Sequence, residues 1–155
     1  MQGHAVVDYG RREAIKTGGV LGMFLMLGVL PMSALAAIDR KAFETKSLDE
    51  ALAALGGKVS EESSLITLTA PDVAENGALV PVTVETALND VEQISILADK
   101  NPTMLVAHFE LSEGMDAYLT TRIRMAQTST LIVLLKAGGK FYRVSKQVTV
   151  NQGGC

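Results

Sequence analysis

From Ser64 onward the chain places apolar side chains at every second position in short runs broken by turn residues, and nothing else in the sequence restricts the fold as strongly. A period of two belongs to a strand with one buried face. Val80, Val82 and Val84 alternate with Pro81, Thr83 and Glu85. The run at 65–69 is rich in branched residues and is closed by Pro71. Further strands are predicted at 79–88, 91–98, 104–111, 117–126, 130–137 and 140–150. Pro81 has no N–H to donate to a ladder, so its part of the second strand belongs at an edge or a strand start. Gly138-Gly139 is the two-residue turn of a hairpin, because glycine accepts positive φ at little cost. Asn76-Gly77, Asn89-Asp90, Asn101-Pro102 and Glu113-Gly114 supply the other turns. Seven strands so spaced predict a mainly β fold, an antiparallel β-sandwich of the immunoglobulin-like kind. With one cysteine and no tryptophan, the chain lacks the Cys-Trp-Cys hallmark of true immunoglobulin domains, and the expectation concerns architecture alone.

One short helix precedes the strands. Ser47-Leu48-Asp49-Glu50 has the pattern of a capping box, in which the Ser47 hydroxyl accepts from the Glu50 amide and the Glu50 carboxylate reaches back to the Ser47 amide. Leu48, Ala51, Leu52 and Leu55 follow at helical spacing, and Gly56-Gly57 provide a left-handed stop. The apolar stripe must dock on something, most simply the edge of the following sheet.

The first 36 residues read as an export signal, not as part of the fold. Arg11, Arg12 and Lys16 precede an uncharged, largely apolar run from Thr17 to Ile38, and Ala34-Leu35-Ala36 is a small-residue cleavage pattern. The arginine pair points to the twin-arginine route and hence to the periplasm. Arg11, Arg12 and Lys16 fit that consensus, Ile15 replaces a leucine, and Gly10 and Ala14 depart from it. An uncleaved membrane anchor is the alternative, since the run is long enough to span a bilayer. Gly18, Gly19, Gly22 and Gly28 weaken it as a stable helix, which favours cleavage after Ala36 and no membrane attachment afterwards. The expected organisation is a signal at 1–36, a β-sandwich at 37–150 and a flexible arm at 151–155. Residues 37–155 hold 11 basic and 15 acidic side chains, with no basic stripe interleaved with aromatics, so nucleic acid is not an expected partner.

The side chains able to do chemistry are few. Without its leader the chain keeps one histidine, His108, which with one distant cysteine is too little for a metal site, and no metal is expected. The stripe Ile123, Met125, Leu131, Val133 and Leu135 is expected to be sandwich core. Arg122 and Arg124 alternate with it on the opposite face, where they solvate the surface or meet an acidic partner. Glu61-Glu62 is expected to be a solvated loop. Cys155 stands behind Gly153 and Gly154, where it has no partner thiol and no packing task. Five residues beyond Val150 would reach about 17 Å if fully extended, enough to deliver a sulfur atom into a narrow site on another protein. Three readings stay open on these residues: a substrate carrier, a thiol enzyme in which His108 or a partner's residue activates Cys155, and a plain interaction module.

Ala70-Pro71-Asp72-Val73-Ala74-Glu75-Asn76-Gly77, then Val80 to Val84, then Arg122-Ile123-Arg124-Met125-Ala126-Gln127-Thr128-Ser129, and the terminal Gly-Gly-Cys follow one another in an order that resembles the SoxY family. These are the sulfur-carrier subunits of the bacterial thiosulfate-oxidising Sox system, and the resemblance covers nearly all of the chain after the leader. It implies a heterodimer with a SoxZ-like subunit and no cofactor of its own. It further implies that Cys155 is the covalent attachment site for thiosulfate-derived sulfur, loaded by a c-type cytochrome and relieved of sulfate by a hydrolase. The chain would then be a carrier, not an enzyme. The family usually ends Gly-Gly-Cys-Gly-Gly. With Cys155 last, an α-carboxylate on the cysteine itself is expected to disfavour the thiolate.

Overall fold

Ser47 stops the backbone in an extended conformation and accepts a hydrogen bond from the Glu50 amide at 3.3 Å, which starts helix α1 (Leu48–Ala54). At the other end Gly56 turns left-handed at φ 78°. The Gly57 amide donates to the Leu52 carbonyl at 2.8 Å and the Gly56 amide to Ala53 at 3.1 Å, a Schellman stop built by the two glycines. These contacts belong to residues 42–152, which the computed structural model of the chain describes. The export signal, its cleavage site, Gly153, Gly154 and Cys155 lie outside the described residues.

Nine strands follow: β1 (Glu61–Glu62), β2 (Ile66–Thr69), β3 (Val73–Asn76), β4 (Val80–Thr86), β5 (Val91–Ala98), β6 (Leu105–Glu110), β7 (Tyr118–Ile123), β8 (Ser129–Ala137) and β9 (Lys140–Gln152). The larger sheet runs β1-β9-β8-β5-β6, with β3 also paired to β9, and the smaller runs β2-β4-β7. Between them lies the main core. Val80, Val82, Val84 and Ile123 of the small sheet meet Ile94, Ile96, Leu131, Val133, Leu135 and Val148 of the large one, and Met125 closes one end. A valine buried this completely contributes about 1.5 to 3 kcal/mol of transfer free energy, so the alternation at 80–84 dictates which face of β4 turns inward. The fold is a mainly β, immunoglobulin-like sandwich, with the stripe of Ile123 to Leu135 in its core as the sequence implies.

Pro81 sits at the start of β4, where β2 has already ended: Thr69 pairs with Thr83, and no β2 residue lies opposite Pro81. Gly138 and Gly139 both take positive φ, 55° and 74°, and close the β8–β9 hairpin through the Ala137–Lys140 pair.

Three expectations need correction. Helix α1 covers the outer face of the large sheet, not its edge: Ala51 and Leu52 pack with Leu97, Leu105, Ile132 and Leu134 in a second core. This is why β8 is buried on both faces and reads as an unbroken apolar run. Glu61-Glu62 is not a loop but the two-residue strand β1, paired in parallel with Tyr142 and Arg143. Like β1, the short strand β3 runs parallel to β9, an addition to the otherwise antiparallel ladders of the sandwich. Finally, β9 continues past Val150 to Gln152, which removes Asn151 and Gln152 from the expected arm.

Candidate functional site at the root of the C-terminal arm

The end of β9 is held from both sides, and the devices come from distant parts of the sequence. On one side β3 pairs Val73 with Thr149, Ala74 with Val150 and Asn76 with Gln152. The Thr149 amide donates to the Asp72 carbonyl at 2.9 Å, and the Gly77 amide donates to the Gln152 carbonyl at 2.7 Å. On the other side β8 begins at Ser129, opposite Val148, and the Thr128 hydroxyl takes over the next rung by accepting from the Val150 amide at 3.0 Å. Gly77 ties the two sides together, since its carbonyl accepts from the Met125 amide at 2.7 Å.

The 124–128 loop is fixed in turn by Asn101. Its side chain donates to the Arg124 carbonyl at 2.8 Å and accepts from the Ala126 amide at 2.9 Å. Gln127 donates to the Lys100 carbonyl at 2.9 Å. On the 70–77 side, Lys146 donates to the Ala70 carbonyl and pairs with Asp72 at 3.0 Å. The segments 70–77 and 122–129, some fifty residues apart, therefore converge where β9 ends. The convergence itself escaped the sequence, because β3 buries only Ala74 and leaves no periodic signal.

Cys155 is three residues beyond Gln152 in sequence, a contour of at most about 10 Å, against the 17 Å expected from Val150.

His108 illustrates the limit. It lies on β6 with Nδ1 2.8 Å from the hydroxyl of fully buried Ser95. Register puts His108, Ser95, Leu134 and Arg143 in one row across the large sheet. Gln152 is nine residues further along β9, about 30 Å, and three strands across, about 14 Å. That separation from Gln152 is well beyond the contour of about 10 Å that three residues span, and Cys155 itself lies outside the described residues. Among the described residues no group of three or more His, Cys, Asp or Glu side chains is arranged to hold a metal ion. No helix among them is long and apolar enough to cross a membrane.

A groove of about 730 Å³ lies at the opposite end of the sandwich, between the 86–92 and 111–117 connections. Glu92 on its rim accepts from Lys136 and from the Gly139 amide at 3.0 Å. The Lys136 hydrogen bond first, and the Gly139 bond second, hold its carboxyl below the usual range. Arg122 and Arg124 are exposed at the arm's end of the molecule.

The family model described as sulfur oxidation protein SoxY matches residues 51–155. Among solved structures, the sulfur carrier protein SoxY from Chlorobium limicola f thiosulfatophilum is similar at 43% identity and a TM-score of 0.61, over 67% of this chain and 96% of that one. A superoxide reductase (neelaredoxin) from Ignicoccus hospitalis superposes with a TM-score of 0.52 at 11% identity, over 61% of this chain and 97% of its own, a likeness of fold alone. No curated protein matches the sequence.

Proposed function

This chain belongs to the SoxY family, and from that premise we propose that it is a sulfur carrier which holds thiosulfate-derived intermediates covalently on Cys155 and presents them to partner enzymes. The observation that carries the reading is the root of the arm. Two segments far apart in sequence, 70–77 and 122–129, are spent on fixing Gln152, three residues before the thiol. Rigid anchoring of this kind lowers the entropy lost when the tip enters a partner's site.

In the loading step a bond forms between Sγ of Cys155 and the outer sulfur of thiosulfate. The thiol proton and two electrons leave, and the electrons pass to oxidised haem of a c-type cytochrome partner. Hydrolysis of the S–S bond to the sulfone sulfur then releases sulfate and leaves the remaining sulfur on the arm. The chain supplies the nucleophile and its positioning, while partners supply the redox and hydrolytic groups. Assembly with a SoxZ-like subunit, export by the twin-arginine route and residence in the periplasm complete the proposal. They are supported by the family and by Arg11, Arg12 and the apolar run after them.

The test is replacement of the nucleophile. Cys155→Ser is expected to abolish thiosulfate-dependent sulfur adducts in intact-mass spectra, and thiosulfate oxidation with them, while unfolding temperature and subunit assembly stay as in wild type. Undiminished oxidation by the serine variant would refute the carrier assignment.

A further inference from the structure

The two arginines that the carrier reading leaves unused stand at the end of the molecule where the arm departs. Ile123 pairs with Val80 at the last rung between β7 and β4. Arg124 and Leu79 therefore leave the sheet side by side, just beyond that rung. Both are close to the root by covalent and hydrogen-bonded paths: Met125, the next residue, donates to Gly77, and Gly77 donates to Gln152. Leu79 is 65% exposed although nothing in the turn needs an apolar side chain there. Arg122 and Arg124 are exposed, and among the described residues neither guanidinium takes part in an ion pair or a side-chain hydrogen bond.

The remaining charges are arranged unevenly along the sandwich. At the far end Asp90, Glu92, Glu113 and Asp116 line the large groove, and the two connections that form it hold no basic residue. The arm's end has Arg122, Arg124 and the exposed Lys100. Lys136, paired with Glu92, and Lys140 offset part of the acidity at the far end, and Asp72, Glu75 and Asp99 stand at the arm's end, so the contrast lies between an acidic groove and a pair of arginines without ionic partners among the described residues. An apolar side chain flanked by unpaired arginines is the layout of a protein contact, with a desolvated anchor and a charged rim. A charge asymmetry along the long axis also orients an encounter before contact.

We propose that Leu79, Arg122 and Arg124 form the surface on which the enzymes acting on the arm dock, and that those enzymes present an acidic rim around an apolar patch at the mouth of their active sites. The inference rests on the carrier reading and deepens it. The short arm requires it sterically as well: with about 10 Å of reach, a catalyst that receives the tip must come against this end of the sandwich. The acidic far end is turned away from an acidic partner, so the same charges that attract at one end reject the reversed approach.

The experiment is a loading assay with the purified c-type cytochrome of the same host, oxidised, plus thiosulfate. Adduct formation on Cys155 is followed by intact mass at low and at high salt. Arg122→Glu/Arg124→Glu is expected to lower the loading rate at least tenfold at low salt, with the gap closing at high salt. Arg122→Lys/Arg124→Lys is expected to load within about twofold of wild type, because the rim needs charge. Leu79→Ser is expected to slow loading at both salt concentrations. Lys140→Glu, at the far hairpin, serves as the control and is expected to load like wild type. A charge-reversed variant that loads at the wild-type rate in low salt, or a far-end control that loses as much, overturns the docking surface while leaving the carrier intact. A wild-type chain that never acquires the adduct sinks the carrier reading, and the docking surface with it.

Discussion

The rung that Thr128 adds to the end of β9 gives the sharpest test of how the arm is anchored. Thr128→Val keeps the shape of the side chain and removes the hydroxyl that accepts from the Val150 amide at 3.0 Å. Val150 is half-buried, so its N–H loses a partner at a place with restricted access to water. Such a loss costs about 1 to 2 kcal/mol. That corresponds to about a 5- to 30-fold rise in the population of the opened strand end. The effect is local, because Ser129 and Val148 still pair one rung earlier and the core residues are untouched. Hydrogen exchange should show it directly, with amides 149–152 exchanging faster by that factor and amides 131–135 of β8 unchanged. The functional consequence is a longer lead: release back to Val150 puts five residues, about 17 Å of contour, between the held strand and Cys155 in place of three, about 10 Å. Loading by a partner should slow, since the tip must be ordered again on entry. Unchanged exchange at 149–152 would show that β3 alone holds the strand, and would refute the account of the 122–129 segment as a clamp.

Other perturbations test other parts of the argument. A Cβ on Gly57 would lie 2.4 Å from Cδ2 of Leu134, which is fully buried, so Gly57→Ala must displace packed core. Overpacking costs about 1 to 3 kcal/mol and the loss of chain freedom returns about 0.4 to 1. A fall in unfolding temperature of several degrees by circular dichroism is expected, and no fall would contradict the docking of α1 on the outer face. His108→Ala should leave the pH profile of Cys155 alkylation superimposable on wild type while lowering stability, because it strips the hydrogen bond from buried Ser95. A displaced profile would revive the thiol-enzyme reading. Glu92 has a folded pKa below its ordinary value, so its contribution is present above the ordinary carboxylate pKa and is lost as pH falls through the lowered one. The difference in melting temperature between wild type and Glu92→Gln should therefore be present at pH 7 and vanish in acid. A difference that grows in acid would reverse the sign of this linkage.

The residues declare their secondary structure where burial has a period. Valines 80, 82 and 84 announce β4 because one face of that strand meets the opposite sheet, and Ser47, Glu50, Gly56 and Gly57 bound the helix because capping is local chemistry. The lone cysteine behind two glycines is visible in the sequence alone, and its role rests on the proposal, since it lies outside the described residues. What could not be read depends on backbone pairing between segments far apart. Val73-Ala74-Glu75-Asn76 buries one alanine, and Glu61-Glu62 buries nothing, so neither carries a pattern, yet both become strands because β9 offers them an open edge. The length of the arm is the clearest case. Sequence placed its start after Val150, the last apolar residue, and the structure moves it past Gln152, because hydrogen bonds from Thr128 and Gly77 hold polar residues in a strand that hydrophobicity would have ended. The thiol is a property of the chain. Where the held strand ends, three residues before it, is a property of the tertiary structure, since only the fold brings residues 77 and 128 to either side of the same strand.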